Sequence, residues 1–341
     1  MIRLEDYLYQ GDTIFRILHY YANDLEENAF AQQNPIDAVH AGFLHQIYEL
    51  LEHNEFLTSQ SQRMREFYKY MVKEYPYLAF TFKGRIKSLI RAEEKFNRYI
   101  VEYTNTYYKK NGCFPSVNDM KKRLGCFRDL IAYRIVICLP RCRVEEKQAR
   151  KQEEMRLLYE IANELPHSLQ EHDFTLVKSN LRNDGKESCK SEQTDTDPKG
   201  IGIAEEWQEY YRDYVTDPTP TGYQSIHMTV YDNLSRCYIE VQLRTKDMDD
   251  CAEIGAYNHQ GYEQFQQDEA NARNEVPSGI CKYYDEAYER LSSLENLDLS
   301  KLEVNMFTAL SNTQINDSCG LLRGRQILPF EHLSRFQNEV D

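Results

Sequence analysis

Two short stretches of strict alternation near the middle of the chain constrain its fold more than any other feature. In residues 225–231, serine, histidine, threonine and tyrosine alternate with isoleucine, methionine and valine. In residues 239–244, glutamate, glutamine and arginine alternate with isoleucine, valine and leucine. Strand side chains point to opposite faces with a period of two, and the polar residues 232–235 form a suitable turn. The pattern predicts an antiparallel hairpin with one apolar face and one polar face.

The polar face of this hairpin has two interpretations. It would bring together a carboxylate (Glu240), an imidazole (His227), an amide (Gln242) and a guanidinium (Arg244), which together can bind and act on a charged substrate. The same alternation is typical of the solvent-exposed face of an ordinary antiparallel sheet. The hairpin alone leaves both interpretations open.

A third predicted strand lies upstream, at residues 129–139. It is apolar almost throughout, which is typical of a central strand, and Asp129 stands at its start. An aspartate at a strand end near a glutamate on a neighbouring strand is a common way to hold Mg²⁺, which prefers oxygen ligands. The sequence does not show whether Asp129 and Glu240 approach one another.

Residues 83–95 form a dense cluster of cations in a chain that carries 41 Lys and Arg against 55 Asp and Glu, a formal charge of -14. We expect Gly84 to let the backbone turn and a helix to begin near Ser88. Cations then recur every four residues along one helix face: Lys87, Arg91 and Lys95. This stripe suits a polyphosphate, whereas the alternative is a solvated face balanced by Glu93 and Glu94. Repulsion between like charges at this spacing favours a ligand.

Five segments in this order resemble the synthetase domain of the RelA/SpoT family, the enzymes that make ppGpp and pppGpp. They are residues 84–88 with Lys95, residues 128–134, residues 222–227, residues 240–245 and residues 252–259. The resemblance implies an α+β fold, a mixed β-sheet nucleotidyltransferase-like synthetase core wrapped by N- and C-terminal helices. It also implies a GTP/GDP pyrophosphokinase, which transfers pyrophosphate from ATP to the 3′-hydroxyl of GDP or GTP in stringent-response signalling.

On the ATP side, the resemblance implies that Arg85 and Arg134 sandwich the adenine, since a guanidinium stacks on a π-face. Lys87 and Lys95 would hold the phosphates. Asp129 would bind Mg²⁺, with Glu240 nearby as a second carboxylate.

On the acceptor side, the resemblance implies that Glu240 is the base and that Tyr223 stacks on the guanine. His227, Gln242 and Arg212 would bind phosphate or ribose oxygens. For each residue, a structural role in the sheet or in an ion pair is the alternative.

Two departures from the family pattern leave the acceptor open. Thr219 stands where a lysine is often seen, and about eighty residues connect residue 140 to Gly222. Some relatives are toxins that pyrophosphorylate the 3′ end of tRNA and are paired with an antitoxin, so a tRNA acceptor is an alternative. A catalytically silent nucleotide-binding regulator is a third.

We expect three consecutive parts: an N-terminal helical region (1–79), the synthetase domain (80–265) with an insertion at about 140–205, and a C-terminal extension (266–341). Apolar spacing predicts helices over residues 14–25, after an Asn34-Pro35 cap, over residues 144–165 and over residues 283–294. Residues 174–178 are a candidate strand. Residues 180–200 are polar and typical of a surface segment.

Composition excludes several classes of protein. No apolar run approaches the roughly 20 residues that cross a bilayer, and we expect a cytoplasmic protein. Nine cysteines include no Cys-x-x-Cys pair, so neither a zinc site nor a disulfide framework is indicated. The acidic balance argues against broad nucleic-acid binding.

The chain contains one His-Asp dipeptide, His172-Asp173, and it lacks the partners of a hydrolase metal site. We therefore expect a single-function synthetase. Homo-oligomer formation is left open.

Overall fold

The computed structural model describes residues 1–10, 14–52, 54–124, 128–179, 202–219, 222–254 and 282–297. Their helices and strands, in chain order, are α1 (Glu5–Leu8), α2 (Ile14–Gln32), α3 (Pro35–Glu52), α4 (Asn54–Glu74), β1 (Ala79–Ile86), α5 (Leu89–Asn111), α6 (Val117–Leu124), β2 (Ile131–Cys138), α7 (Lys147–Glu171), β3 (Phe174–Val177), a 3₁₀ turn (Glu205–Tyr210), β4 (Tyr211–Asp213), β5 (Ile226–Asp232), β6 (Cys237–Thr245), α8 (Lys246–Ile254) and α9 (Lys282–Glu295).

The chain groups into two compact units that interleave along the sequence. Unit 1 comprises Met1–Ser61, Arg85–Leu130 and Asn274–Asp341, and unit 2 comprises Gln62–Gly84 and Ile131–Arg273. The predicted division into three consecutive parts stays a prediction.

Unit 2 contains a six-stranded sheet in the order β1-β2-β6-β5-β3, with β4 also paired to β5. Strands β2 and β6 are parallel, whereas β5 is antiparallel to β3, β4 and β6. The sheet is therefore mixed, and the predicted α+β fold is confirmed. The strand predicted over residues 129–139 is β2, and it lies between β1 and β6 as its apolar sequence indicated.

The predicted hairpin is β5 and β6, joined by the turn at residues 232–235. Its apolar face is buried, with Ile226, Val230 and Ile239 each at 0% exposure. The polar face is also largely buried, since Glu240 is 8% exposed and Gln242 is 4% exposed. The interpretation as an ordinary outer sheet face is therefore wrong, since polar groups on such a face would be hydrated.

Part of the predicted insertion is built into unit 2. Helix α7 extends the predicted helix to Glu171. It buries the whole apolar stripe predicted for it: Leu157, Leu158, Ile161 and Leu165. Strand β3 pairs with β5 as an edge of the sheet. Residues 180–201 lie outside the described residues.

Unit 1 is mainly helical over its described residues, and local sequence explains where α3 begins. The Asn34 side chain accepts hydrogen bonds from the amides of Ile36 (3.0 Å) and Asp37 (3.2 Å), which confirms the predicted cap. Helix α2 packs along α3, and α9 contacts α3 and α5. The predicted stripe of α2 is buried: Ile14, Ile17, Leu18, Tyr21 and Leu25.

The core of unit 1 encloses a polar network centred on Glu93 of α5. Glu93 accepts hydrogen bonds from the Tyr21 hydroxyl (2.5 Å) and from Nε2 of His40 (2.6 Å). Arg290 of α9 contacts Nδ1 of His40 (3.0 Å) and Oδ1 of Asp37 (2.9 Å). A guanidinium can only donate, so Nδ1 of His40 accepts and its Nε2 donates to Glu93. The expectation that Glu93 is a solvated counter-charge is therefore wrong.

Two further expectations about the cationic segment are corrected. Gly84 lies within β1 rather than at a turn. Ser88 caps α5, which begins at Leu89, so Lys87 precedes the helix instead of belonging to a stripe along it. The protein itself supplies the negative charge that offsets Arg91, because Arg91 pairs with Glu94 (2.7 Å). Repulsion among the cations therefore does not require a ligand.

The described part of the chain holds no helix that combines the length and the apolar character needed to span a membrane. Of the C-terminal helix predicted from residue 252, only the part within α8 is described; residues 255–281 and the tail from residue 298 lie outside the described residues.

Candidate active site

Three strands of unit 2 place a row of polar side chains around Glu240. Arg212 on β4 is paired with His227 on β5, and His227 is paired with Gln242 on β6. Glu240 lies two residues before Gln242 and so shares its face of β6. Its Oε1 accepts from Nη2 of Arg212 (2.8 Å) and its Oε2 from Nε2 of Gln242 (2.6 Å). Nδ1 of His227 lies 3.3 Å from Oε1 of Glu240.

These contacts set the charge of the two titratable groups. Burial alone would raise the pKa of Glu240, but interactions with His227, Arg212 and Gln242 outweigh it and hold that pKa well below its usual value. Burial lowers the pKa of His227, and its contact with Glu240 opposes this only in part. At neutral pH, Glu240 is therefore ionised and His227 is neutral, and Arg212 is the cation that balances the carboxylate.

Tyr223 stands beside this group, directly after Gly222. Gly222 adopts φ 79°, a conformation that favours glycine, and its amide donates to the Thr219 carbonyl (2.7 Å). The Thr219 hydroxyl accepts from the Tyr223 amide (3.2 Å). The Tyr223 hydroxyl lies 2.9 Å from Nε2 of His227. Thr219, where the family often has lysine, thus holds the backbone of the residue predicted to stack on the acceptor.

Asp249 was not predicted to belong to this site, and Arg244 was predicted to lie on the polar face without a specific role. Arg244 donates to the Tyr223 hydroxyl and to Oε1 of Gln242 (3.1 Å). Asp249 on α8 accepts from Arg134 of β2 (3.2 Å) and from Arg244 (3.3 Å). The alternation of residues 239–244 already placed Arg244 on the polar face, whereas no local pattern distinguished Asp249 from its acidic neighbours.

Helix α7 fixes the strand that carries Arg212. The Tyr211 hydroxyl donates to the carbonyl of Ala162 on α7 (2.5 Å). The hydroxyl of Tyr159, also on α7, donates to Oδ2 of Asp213 (2.9 Å). Both neighbours of Arg212 are thus tied to α7, which limits the directions in which the guanidinium can point.

The chain is also tied down at both ends of the stretch between residues 179 and 202. The Asn163 side chain donates to the Gly202 carbonyl (3.0 Å) and accepts from the Ala204 amide (2.8 Å). The Ser179 amide donates to the Glu209 carbonyl (2.9 Å). These ties are independent of the residues between them.

A second group of predicted site residues lies in unit 1. Asp129 forms ion pairs with Lys95 and with Lys87, whose Nζ lies 3.3 Å from Oδ2 of Asp129. All three side chains are partly exposed, so an incoming anion can reach the two ammonium groups. The side chain of Arg85, predicted to stack on the adenine, lies outside the described residues. The predicted approach of Asp129 and Glu240 stays a prediction.

The donors suit a magnesium ion only in part. Within the described ranges, no three His, Cys, Asp or Glu side chains are grouped to hold a metal. Mg²⁺ at phosphate-transfer sites is bound by one or two carboxylates together with substrate phosphates. Asp129 fits such a site as a single carboxylate. Glu240 fits less well, since both its oxygens already accept hydrogen bonds.

Residues 202–267 match the family described as the region found in RelA / SpoT proteins. A GTP pyrophosphokinase of Haemophilus influenzae is 46% identical over 54 residues, which are 16% of this chain and 7% of that protein. The GTP pyrophosphokinase rsh of Brucella ovis is 33% identical over 102 residues, 28% of this chain and 13% of that protein. The chain thus spans only a small part of the curated relatives that it matches.

Among solved structures, the small alarmone synthetase 1 from Bacillus subtilis bound to its product pppGpp aligns at 15% identity. The alignment covers 74% of this chain and 94% of that chain, with a TM-score of 0.28, which is too low to show a shared fold. The family match includes β4, β5, β6 and the Glu240 group. Residues 202–267 of this chain are therefore similar to the RelA/SpoT family, and the predicted resemblance is confirmed for the three motifs within that stretch, at residues 222–227, 240–245 and 252–259.

Proposed function

We propose that this protein is a GTP/GDP pyrophosphokinase that makes (p)ppGpp. The observation that carries the proposal is the Glu240 carboxylate, held ionised on the polar face of β6 by three donors within the RelA/SpoT region. Relatives that match part of this chain are named GTP pyrophosphokinases, which supports the same reaction.

In the proposed reaction, the 3′-oxygen of GDP or GTP attacks the β-phosphorus of ATP. The bond from that phosphorus to the α-phosphate oxygen breaks, AMP leaves, and the hydroxyl proton passes to Glu240. A carboxylate with a lowered pKa is a weak base toward a ribose hydroxyl. We therefore assign Glu240 to orienting the hydroxyl and accepting its proton late, once the new bond to phosphorus has begun to form.

On the acceptor side, Tyr223 would offer its ring to the guanine base. The Arg212 side chain would bind an acceptor oxygen, because it is 39% exposed and carries a positive charge. His227 is neutral and its two ring nitrogens lie close to Tyr223 and Glu240. These contacts support a role for His227 in orienting Glu240 as well as in binding the acceptor.

On the ATP side, Lys87 and Lys95 would bind the phosphates and Arg85 and Arg134 the adenine. Both lysines now share Asp129, so phosphates that draw the lysines away would free this carboxylate for Mg²⁺. The chemistry that Mg²⁺ supplies when bound is neutralisation of charge on the transferred group.

The test offers Mg²⁺ and ATP labelled in the γ-phosphate to the purified protein, with GDP, GTP or deacylated tRNA as separate acceptors. We expect label on a guanosine nucleotide and release of AMP. Label on tRNA alone would replace the proposal with tRNA pyrophosphorylation, and label on no acceptor would contradict transfer altogether.

The role of Glu240 is tested by Glu240→Gln, which keeps the shape of the side chain and removes its charge. We expect kcat to fall about 100- to 10,000-fold, as for loss of a general base, while ATP binding persists. Glu160→Gln is the matched control, because Glu160 pairs with Arg156 on the exposed surface of α7 (2.6 Å). Near-normal turnover in Glu240→Gln would contradict the assignment.

A further inference from the structure

Arg244 and Asp249 join the residue predicted to hold ATP to the residues predicted to hold the acceptor. Oδ1 of Asp249 accepts from Nη1 of Arg134 at 3.2 Å and from Nη1 of Arg244 at 3.3 Å. Arg244 in turn donates to the Tyr223 hydroxyl. One carboxylate oxygen therefore lies between the two guanidiniums, and the chain of contacts runs from Arg134 to Tyr223.

All three nitrogens of the Arg244 guanidinium donate hydrogen bonds. Its Nε donates to Oγ of Ser225 (3.3 Å), and its Nη2 donates to Oε1 of Gln242 (3.1 Å) as well as to Tyr223. Its central carbon also lies 4.8 Å from the centroid of the Tyr223 ring. Because an arginine only donates, the oxygen of the Gln242 amide must face Arg244. The amide nitrogen then faces Glu240 and donates to it.

Burial makes this arrangement sensitive to change. The side chains of Arg244 and Asp249 are 3% and 5% exposed, so their charges are poorly screened by water. Burial lowers the pKa of Arg244, and the positive charge of Arg134 lowers it further, while Tyr223 and Asp249 oppose the change. A shift of Arg134 relative to Asp249 therefore alters the balance that holds Arg244.

We infer that Arg244 and Asp249 are positioning residues that couple the two nucleotide sites. The inference rests on the proposed function, because Arg134 and Tyr223 are assigned to ATP and acceptor only there. When adenine stacks on Arg134, the guanidinium is held against Asp249, and Arg244 is held against Tyr223 and Gln242. The acceptor then meets a site that is already ordered, so ATP strengthens its binding.

The test measures the dissociation constant of GDP with and without adenosine 5′-(α,β-methylene)triphosphate, an analogue that blocks cleavage at the bond to the α-phosphate. In the wild-type protein, we expect the analogue to tighten GDP binding about 5- to 10-fold, at the low end of known couplings. By reciprocity, GDP must tighten binding of the analogue by the same factor.

Two variants remove the connection in different ways. Asp249→Asn removes the charge that both guanidiniums share. Arg244→Lys keeps the positive charge but lacks the planar fork needed to reach Asp249 and Tyr223 together. In both variants, we expect the coupling factor to fall below about 2-fold, well under the usual range. The matched control is Asp247→Asn on the same helix, which pairs only with an exposed partner, Lys151, among the contacts described (2.6 Å), and keeps the wild-type factor.

A merely structural role predicts a different result. Loosening of the fold would weaken both nucleotides and leave the coupling factor unchanged, so a wild-type factor in folded Asp249→Asn and Arg244→Lys would overturn the inference. Wild-type protein that makes product but binds the nucleotides independently would overturn the inference and leave the proposed function standing. Wild-type protein that makes no product would contradict the proposed function, and the inference would fall with it.

Discussion

The two units each bury a glutamate against a histidine, and the two pairs differ in what surrounds them. Glu93 contacts His40, and Glu240 contacts His227. The side chain of Glu93 is 0% exposed, and the arginine of its network, Arg290, is 1% exposed. Glu240 is nearly as buried, but its arginine, Arg212, is 39% exposed.

This difference shows why a buried acid and imidazole do not by themselves indicate a site. Both carboxylates have lowered pKa values, because hydrogen bonds and nearby charge outweigh the burial that would raise them. Around Glu93 the described partners of the carboxylate are buried side chains of unit 1, on α2, α3 and α5 itself. Around Glu240, the partner Arg212 is exposed to solvent and can bind a ligand in place of the carboxylate. Access, rather than the perturbed pKa, separates the two pairs.

The largest effect that tests this comparison is expected for Glu93→Gln. The substitution removes the negative charge that acts on the buried guanidinium of Arg290, and loss of one charge from such a buried network lowers the free energy of unfolding by about 3–5 kcal/mol. Glu240→Gln should cost clearly less, because water can solvate the exposed end of Arg212. Urea denaturation of both variants measures the difference. Equal losses, or loss of turnover in folded Glu93→Gln, would break the comparison.

A smaller effect is expected for Tyr21→Phe. The substitution removes one hydrogen bond to the Glu93 carboxylate, and bonds to charged groups contribute about 1.5–3 kcal/mol. His40 and Asn97 still donate to Glu93, so the fold persists. Thermal and urea unfolding give the value. Tyr107→Phe, at a position on α5 that does not contact this network, serves as the control, and a loss there as large as in Tyr21→Phe would contradict the assignment.

The smallest difference is expected in the dependence of stability on pH. Unfolded glutamates bind protons near pH 4.3, while Glu93 and Glu240 stay charged to lower pH. The unfolded state therefore binds more protons in that window, and stability is lost as pH falls through the lowered pKa values. Above about pH 5 their contribution is complete.

Unfolding measured between pH 2 and 6 tests this expectation. Glu93→Gln and Glu240→Gln should each flatten the fall in stability at acid pH. A wild-type slope in either variant would show that its carboxylate does not carry the effect.

Local signals in the sequence predicted much of this fold. The alternation of residues 225–231 and 239–244 gave the hairpin, and the stripe from Leu157 to Leu165 indicated α7. Asn34 marked the start of α3. Each of these signals depends on neighbours within about one turn or one strand, which the sequence displays directly.

The parts that could not be predicted depend on contacts between distant residues. His40 and Arg290 are 250 positions apart, and neither carries a periodic signal that relates it to Glu93. Asp249 is one of several acidic residues at the start of α8, and only the fold selects it to contact Arg134. The burial of the polar sheet face could not be predicted either. Polar and apolar residues alternate along a strand in the same way whether the polar face is hydrated or enclosed by protein.

The ties made by Asn163 and Ser179 have a consequence for how such a chain can evolve and be engineered. They fix the chain on both sides of residues 180–201, so the length of that stretch is uncoupled from the direction of Arg212. A change in the number of residues between Ser179 and Gly202 therefore leaves in place the contacts with α7 that hold the strand carrying Arg212.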